Sequence, residues 1–200
     1  MNNNQTFSSS LLTANSDSLR QQLLDLIVKY AYREGDFTLS SGAKSSYYIN
    51  CKEVTLRAEG ALMLGRLILE ILPEDTAAVA GLTLGADPIV SAVSVVSALS
   101  SRSIPALIIR KKAKGHGTQA YIEGPALPEG SQVVVLEDVV TTGKSALQAV
   151  ERLQNAGYQV SQIISLVDRK QGGRELYKTK NLAFNALFEI EDLQRYVAST

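Results

Sequence analysis

Apolar residues along this chain keep two rhythms. From 18 to 34 they recur three and four positions apart, at Leu19, Leu23, Leu26, Ile27 and Tyr30, the spacing of one helix face. Asp17 or Ser18 would cap this helix and Gly35 would end it. A second helix is expected over 58–72, with Leu62, Leu64, Leu67, Ile68 and Ile71 apolar and Pro73 closing it. Between them, FTLSSGAKSSYYINCKEV reads as two short strands about a turn at Ser41-Gly42.

After residue 76 the rhythm changes to short, continuous apolar runs: AAVAGLTL, PALIIRK, SQVVVLED, VSQIISLVD and NLAFNALFEI. Helices are expected between or after them, from Pro88 to about Ser101, from Gly143 to Asn155 and from Glu191 onward, with a polar loop over 111–124. Continuously apolar strands that alternate with helices predict an α/β fold, its mainly parallel sheet covered on both faces. Residues 1–17, rich in Asn and Ser, are expected to form a mostly disordered tail, and 18–200 a single domain.

Composition narrows the function. The chain has 200 residues, 45% of them hydrophobic, enough for a sizeable core. Lys+Arg and Asp+Glu both number 20, and zero net charge argues against a protein whose main work is coating nucleic acid. The start of the chain has neither the basic nor the apolar region of a secretory signal, and the most apolar later stretch, 88–99, is too short to span a bilayer. A cytoplasmic location with no membrane or nucleic-acid partner is expected. Cys51 is the only cysteine, so no internal disulfide forms, and it is expected as a half-buried small residue on a strand. One His and one Cys leave no zinc pattern.

The chemistry is concentrated in VVVLEDVVTTGKS at 133–145. Val133 to Leu136 is the buried end of a strand, which places Glu137 onward at the carboxyl edge of the sheet, where open α/β folds bind ligands. Thr141, Thr142, Gly143 and Ser145 lie in the turn into the next helix, and small residues, successive N–H groups and hydroxyls suit an anion. The string is not a Walker A loop, because Asp138 stands where the first glycine would be. Glu137 and Asp138 have another task. Ionised carboxylates accept hydrogen bonds, and a sugar diol offers two donors side by side. A ribose 5-phosphate moiety therefore fits, with the 2′ and 3′ hydroxyls on the acids and the 5′-phosphate in the loop. The competing reading has two solvated strand-end acids and an ordinary glycine turn.

This string resembles the phosphoribosyl diphosphate (PRPP) signature of the type I phosphoribosyltransferases. A second segment, RKKAKGHG at 110–117, could be a solvated charge run, a nucleic-acid patch, or a mobile lid that brings positive charge onto a leaving group. It resembles the catalytic loop of orotate phosphoribosyltransferases. FTLSSGAKSSYYIN at 37–50 is similar to that family's N-terminal segment, and VDRKQGG at 167–173 places Arg169 where the family uses an arginine on orotate. A guanidinium can fork a carboxylate and planar acceptors. From one sequence alone a surface salt bridge is the better account of Arg169.

The resemblance implies a type I phosphoribosyltransferase-like fold with a small N-terminal hood, and transfer of a phosphoribosyl group from PRPP to orotate. It implies catalytic roles for Lys111, Lys114, His116 and Asp138. It implies PRPP contacts from Arg110, Lys111, Lys114, His116, Glu137, Asp138, Val139, Val140, Thr141, Thr142, Gly143, Lys144 and Ser145, and orotate contacts from Lys44, Tyr48, Ile49, Thr141 and Arg169. Mg²⁺ would arrive on PRPP without a protein cage. A homodimer would let the 110–124 loop reach the neighbouring site. Two positions depart from some family members: Ser40 stands in place of a lysine, and Leu84-Gly85 in place of a Tyr-Lys pair. Other readings are a phosphoribosyltransferase for a different base, or a non-catalytic regulator that senses PRPP.

Overall fold

The structure, a computed structural model, describes residues 11–38, 44–114 and 121–199. Helix α1 (Ser16–Leu26) runs into a π-helical turn at Ile27–Ala31. An antiparallel ribbon follows, β1 (Tyr32–Thr38) and β2 (Lys44–Ile49), and then the short helix α2 (Lys52–Thr55). Helix α3 (Ala58–Ile71) leads to β3 (Ala78–Leu82), α4 (Asp87–Ala98), β4 (Ala106–Ile109) and the two-residue β5 (Ile122–Glu123). The second half holds β6 (Val133–Val140), α5 (Lys144–Asn155), β7 (Gln162–Asp168), α6 (Gly173–Thr179), β8 (Ala183–Glu189) and α7 (Ile190–Ser199).

The main sheet has six strands in the order β5-β4-β3-β6-β7-β8. All neighbours are parallel except the β4–β5 pair. Its central strands are buried on both faces, as their continuous apolar runs require: β3 and β7 are buried along their whole length. One face packs against α1, α3 and α4 through Leu19, Leu23, Met63, Leu64, Ile68, Ile89 and Val93. The other packs against α5 and α6 through Ala146, Ala149, Val150, Leu153 and Tyr177. No helix among the described residues is long and apolar enough to cross a membrane.

The strand order positions the site. After β3 the chain adds β4 on one side and then returns to lay β6 on the other. The direction of winding reverses between β3 and β6, so their following loops diverge and leave a crevice at the carboxyl edge.

Several expectations need correction. The N-cap of α1 is Asn15, whose side chain accepts from the Ser18 N–H at 2.9 Å, not Asp17 or Ser18. The helical segment stops at Ala31 rather than Glu34, because the apolar face ends at Tyr30 and the following residues pair with β2, Tyr32 opposite Ile49 and Glu34 opposite Tyr47. Gly35, at φ +147°, lies in an irregularity of β1 and does not cap a helix. The described residues begin inside the segment expected to be a tail, and they are packed. Leu11 is buried, and Arg66 donates to the carbonyls of Leu11 and of Ala14, the latter at 3.0 Å. Cys51 is fully buried and lies just ahead of α2, not on a strand. Helix α6 was not expected, since the segment carries too little apolar periodicity to declare itself.

Candidate active site

Strand β6 carries the acid pair, and its pairing differs on its two sides. Against β3 the register ends at Val135, opposite Ala80, while against β7 it continues to Val140, opposite Asp168. Glu137 and Asp138 are therefore held straight by one neighbour and uncovered by the other, at the point where the sheet opens. The sequence placed them at the strand's carboxyl edge; the strand in fact runs on to Val140.

Asp138 is partly buried in the crevice beside the β3–α4 loop. Its Oδ1 accepts the N–H of Val139 at 2.9 Å, and its Oδ2 stands 4.0 Å from the Lys52 ammonium. Gly85 backs directly onto it, and a Cβ at Gly85 would fall 2.6 Å from the Asp138 carboxylate. The Leu84-Gly85 departure is thus the residue that lets the loop approach the acid. Thr83 Oγ1 donates to Asp87 Oδ2 at 2.7 Å and braces the same loop.

Glu137 is 6% exposed and lines a different hollow, with Thr141 to Ser145 and Tyr177. Its Oε2 has no hydrogen-bond partner among the described residues. Burial first, and then the neighbouring Asp138 charge, push its carboxyl well above the usual range, while Lys111 pulls the other way. Lys111 is thus within electrostatic reach of Glu137.

The Thr141–Ser145 loop turns at Gly143, whose φ of +81° is the left-handed value that the turn into α5 requires. Arg169 N–H bonds the Val140 carbonyl at 2.8 Å and Gly173 N–H bonds the Thr141 carbonyl at 3.2 Å. Both ends of the loop are thus fixed from β7 and α6. Thr142, Lys144 and Ser145 are exposed and Thr141 is half-buried.

Arg169 is 8% exposed. Its Nε donates to the Tyr47 hydroxyl at 2.9 Å, one terminal nitrogen reaches Ser45 Oγ at 3.3 Å, and the guanidinium lies 4.6 Å from the Tyr47 ring centre. This excludes the surface salt bridge, and Arg169 ties the two-stranded ribbon to the edge of β7. The ribbon alternates. Tyr47 and Ser45 face Arg169, while Lys44 and Tyr48 stand on the exposed side, Lys44 bonded to Thr38 Oγ1 at 2.9 Å and Tyr48 packed on Phe37. Ile49 is half-buried. Lys44 and Tyr48, expected near the base, lie outside the Arg169 cluster. Ser45 and Tyr47 were missed, although the two-residue period of a strand gave the signal.

The basic loop leaves β4 with a fixed base. Arg110 pairs with Glu123 at 2.9 Å, and Lys114 lies 3.9 Å from the same carboxylate. Arg152 donates to the carbonyls of Arg110 and of Lys111, the latter at 3.1 Å, and stacks over Tyr121. Glu123, Arg152 and Tyr121 had no motif to mark them. Beyond this base Lys111 and Lys114 are exposed. Ser40, Ser41, Gly42 and His116 lie outside the described residues.

Comparison with known proteins decides the family. Residues 59–191 match the phosphoribosyl transferase domain family. An orotate phosphoribosyltransferase of a Nostoc species is 67% identical over 183 residues, covering 92% of this chain and 89% of that protein. This chain belongs to the orotate phosphoribosyltransferases. The orotate phosphoribosyltransferase of Mycobacterium tuberculosis superposes with a TM-score of 0.77 at 36% identity, covering 88% of this chain and 98% of the other. A crystal structure of that same enzyme holds PRPP, and superposes with a TM-score of 0.74 at 33% identity over 88% of this chain and 99% of the other. The sheet order, the hood ribbon and the opening between β3 and β6 are thus features of an orotate phosphoribosyltransferase fold.

Proposed function

We propose that this protein transfers the 5-phosphoribosyl group of PRPP to orotate, giving orotidine 5′-monophosphate and diphosphate in pyrimidine synthesis. The observation that carries the reading is the meeting, at one sheet edge, of the acid pair, the Thr141–Ser145 loop and the buried Arg169 held by the hood.

PRPP binds with its 5′-phosphate in the Thr141–Ser145 loop and its ribose hydroxyls on Asp138 and Glu137. Orotate lies between Arg169, Thr141 and Ile49, with its carboxylate on the guanidinium. The bond from ribose C1 to the diphosphate oxygen breaks, and its electron pair leaves with the diphosphate. Positive charge grows on the sugar while orotate N1 closes on C1, and no covalent enzyme intermediate is needed. Arg110, Lys111, Lys114 and His116 stabilise the departing negative charge.

Mg²⁺ would come bound to PRPP and would supply neutralisation of the diphosphate charge. The donor set fits that role: Asp138, whose Oδ1 accepts the Val139 N–H and whose Oδ2 stands 4.0 Å from Lys52, could serve as an auxiliary ligand without forming a cage. The working form is a cytoplasmic homodimer in which the 110–124 loop serves the neighbouring site.

The test is a mixture of purified protein, PRPP, Mg²⁺ and orotate, followed by loss of orotate's ultraviolet absorbance, with uracil, hypoxanthine and adenine in parallel. PRPP-dependent loss with orotate alone is expected. Turnover of another base instead would overturn the base assignment, and binding of PRPP without any turnover would favour a PRPP sensor.

A further inference from the structure

Helix α6 contributes one residue that no motif marks. Tyr177 is fully buried beneath the Thr141–Ser145 loop, its ring edge-on to Phe184 with centroids 5.1 Å apart. The ring lies so close to Gly143 that a Cβ there would meet it at 2.8 Å. Packing accounts for the ring and leaves the hydroxyl unexplained. Tyr177 Oη has no hydrogen-bond partner among the described residues, although a buried hydroxyl without one is costly. A phenylalanine would pack equally well.

Tyr177 lines a hollow of about 60 Å³ together with Glu137 and residues 139–146. Glu137, whose Oε2 also has no hydrogen-bond partner among the described residues, lines it too. The space admits a few water-sized groups. The two unpartnered groups are complementary. Glu137, protonated or not, keeps an oxygen that can accept, whereas Tyr177 Oη has a proton to donate. A ligand that presents a hydroxyl and an anionic oxygen together satisfies both. Burial and the carboxylates of Glu137 and Asp168 hold the phenol proton firmly in place, so the hydroxyl is a neutral donor across the working pH range.

We infer that Tyr177 is a phosphate-binding residue: its hydroxyl donates a hydrogen bond to a 5′-phosphate oxygen of PRPP from beneath the Thr141–Ser145 loop. This rests on the reading of that loop as the 5′-phosphate cradle. The loop's N–H groups and hydroxyls grip the phosphate from the rim, and Tyr177 supplies the floor.

The test compares wild type with Tyr177→Phe, which keeps the ring and removes only the donor. Ribose 5-phosphate binding by calorimetry should weaken about tenfold, as expected for one hydrogen bond to a charged group. KM for PRPP should rise by a similar factor, with kcat and KM for orotate within about twofold of wild type. A melting temperature close to wild type shows that the packing survives. Equal ribose 5-phosphate affinity in the two proteins would overturn the Tyr177 assignment while leaving the cradle intact. Failure of wild type itself to bind ribose 5-phosphate would overturn both.

Discussion

Arg169 Nε and the Tyr47 hydroxyl are 2.9 Å apart, and this bond joins the hood ribbon to the catalytic edge of the sheet. Tyr47 is itself packed against Tyr32, with ring centroids 5.7 Å apart, so the guanidinium is oriented by a side chain that cannot readily move. Tyr47→Phe should raise KM for orotate about tenfold, because one hydrogen bond of a buried guanidinium is lost. KM for PRPP should stay near the wild-type value. Steady-state kinetics with each substrate varied in turn separate the two effects; an unchanged orotate KM would mean that Tyr47 does not orient Arg169.

Gly85 offers a test of the Asp138 crevice. An alanine Cβ would sit 2.6 Å from the carboxylate. The carboxylate can swing aside, so the fold tolerates the change while the acid loses its place over the crevice. Gly85→Ala should raise KM for PRPP about tenfold or more and shift the melting temperature by only a few degrees. Large destabilisation with unchanged kinetics in the remaining folded protein would show that Gly85 serves packing alone.

Lys114 stands exposed on the basic loop, near Glu123 but only loosely paired at 3.9 Å. Such an exposed pair contributes little to stability, which leaves the ammonium available for the diphosphate. Lys114→Ala should lower kcat by about two orders of magnitude, the effect of one donor worth ~3 kcal/mol aimed at developing charge. Single-turnover rates measure this directly, and unchanged turnover would remove Lys114 from the mechanism.

Glu137 makes stability depend on pH. Its carboxyl is raised in the folded protein by burial and by Asp138, whereas the unfolded chain titrates near the ordinary value of about 4.3. The native state therefore binds the proton more tightly. The stability this contributes is fully present below the unfolded value and is lost as pH rises through the folded one. Glu137→Gln removes that dependence. Its melting temperature should exceed wild type's at pH 7 to 8, and the difference should shrink as pH falls toward 4. Parallel melting curves that do not converge at low pH would contradict the buried, proton-retaining acid.

How much of this was legible follows from what each signal needs. The sheet was readable because strands buried on both faces must be continuously apolar, and β3, β6 and β7 are. The thirteen residues at 133–145 announced the acid pair and the loop because turn glycine, hydroxyls and acids stand together in the chain. The placing of Tyr47, Ser45, Tyr177, Glu123 and Arg152 beside the candidate site was not legible, since each meets its partner far away in sequence. Tyr47 meets Arg169 across 122 positions, and Arg152 reaches Lys111 across 41. The helix boundary near Glu34 failed for a related reason: pairing with β2 overrides a local pattern that stays ambiguous beyond Tyr30.

The central claim is that the acid-and-loop half and the Arg169 half form one site with separable duties. Ribose 5-phosphate affinity and orotate kcat/KM, measured side by side on Arg169→Ala and Asp138→Asn, test it most directly. Arg169→Ala should bind ribose 5-phosphate as wild type does and lose at least about a hundredfold in kcat/KM for orotate, while Asp138→Asn should weaken binding of the sugar phosphate itself. Wild-type orotate turnover by Arg169→Ala would contradict the account.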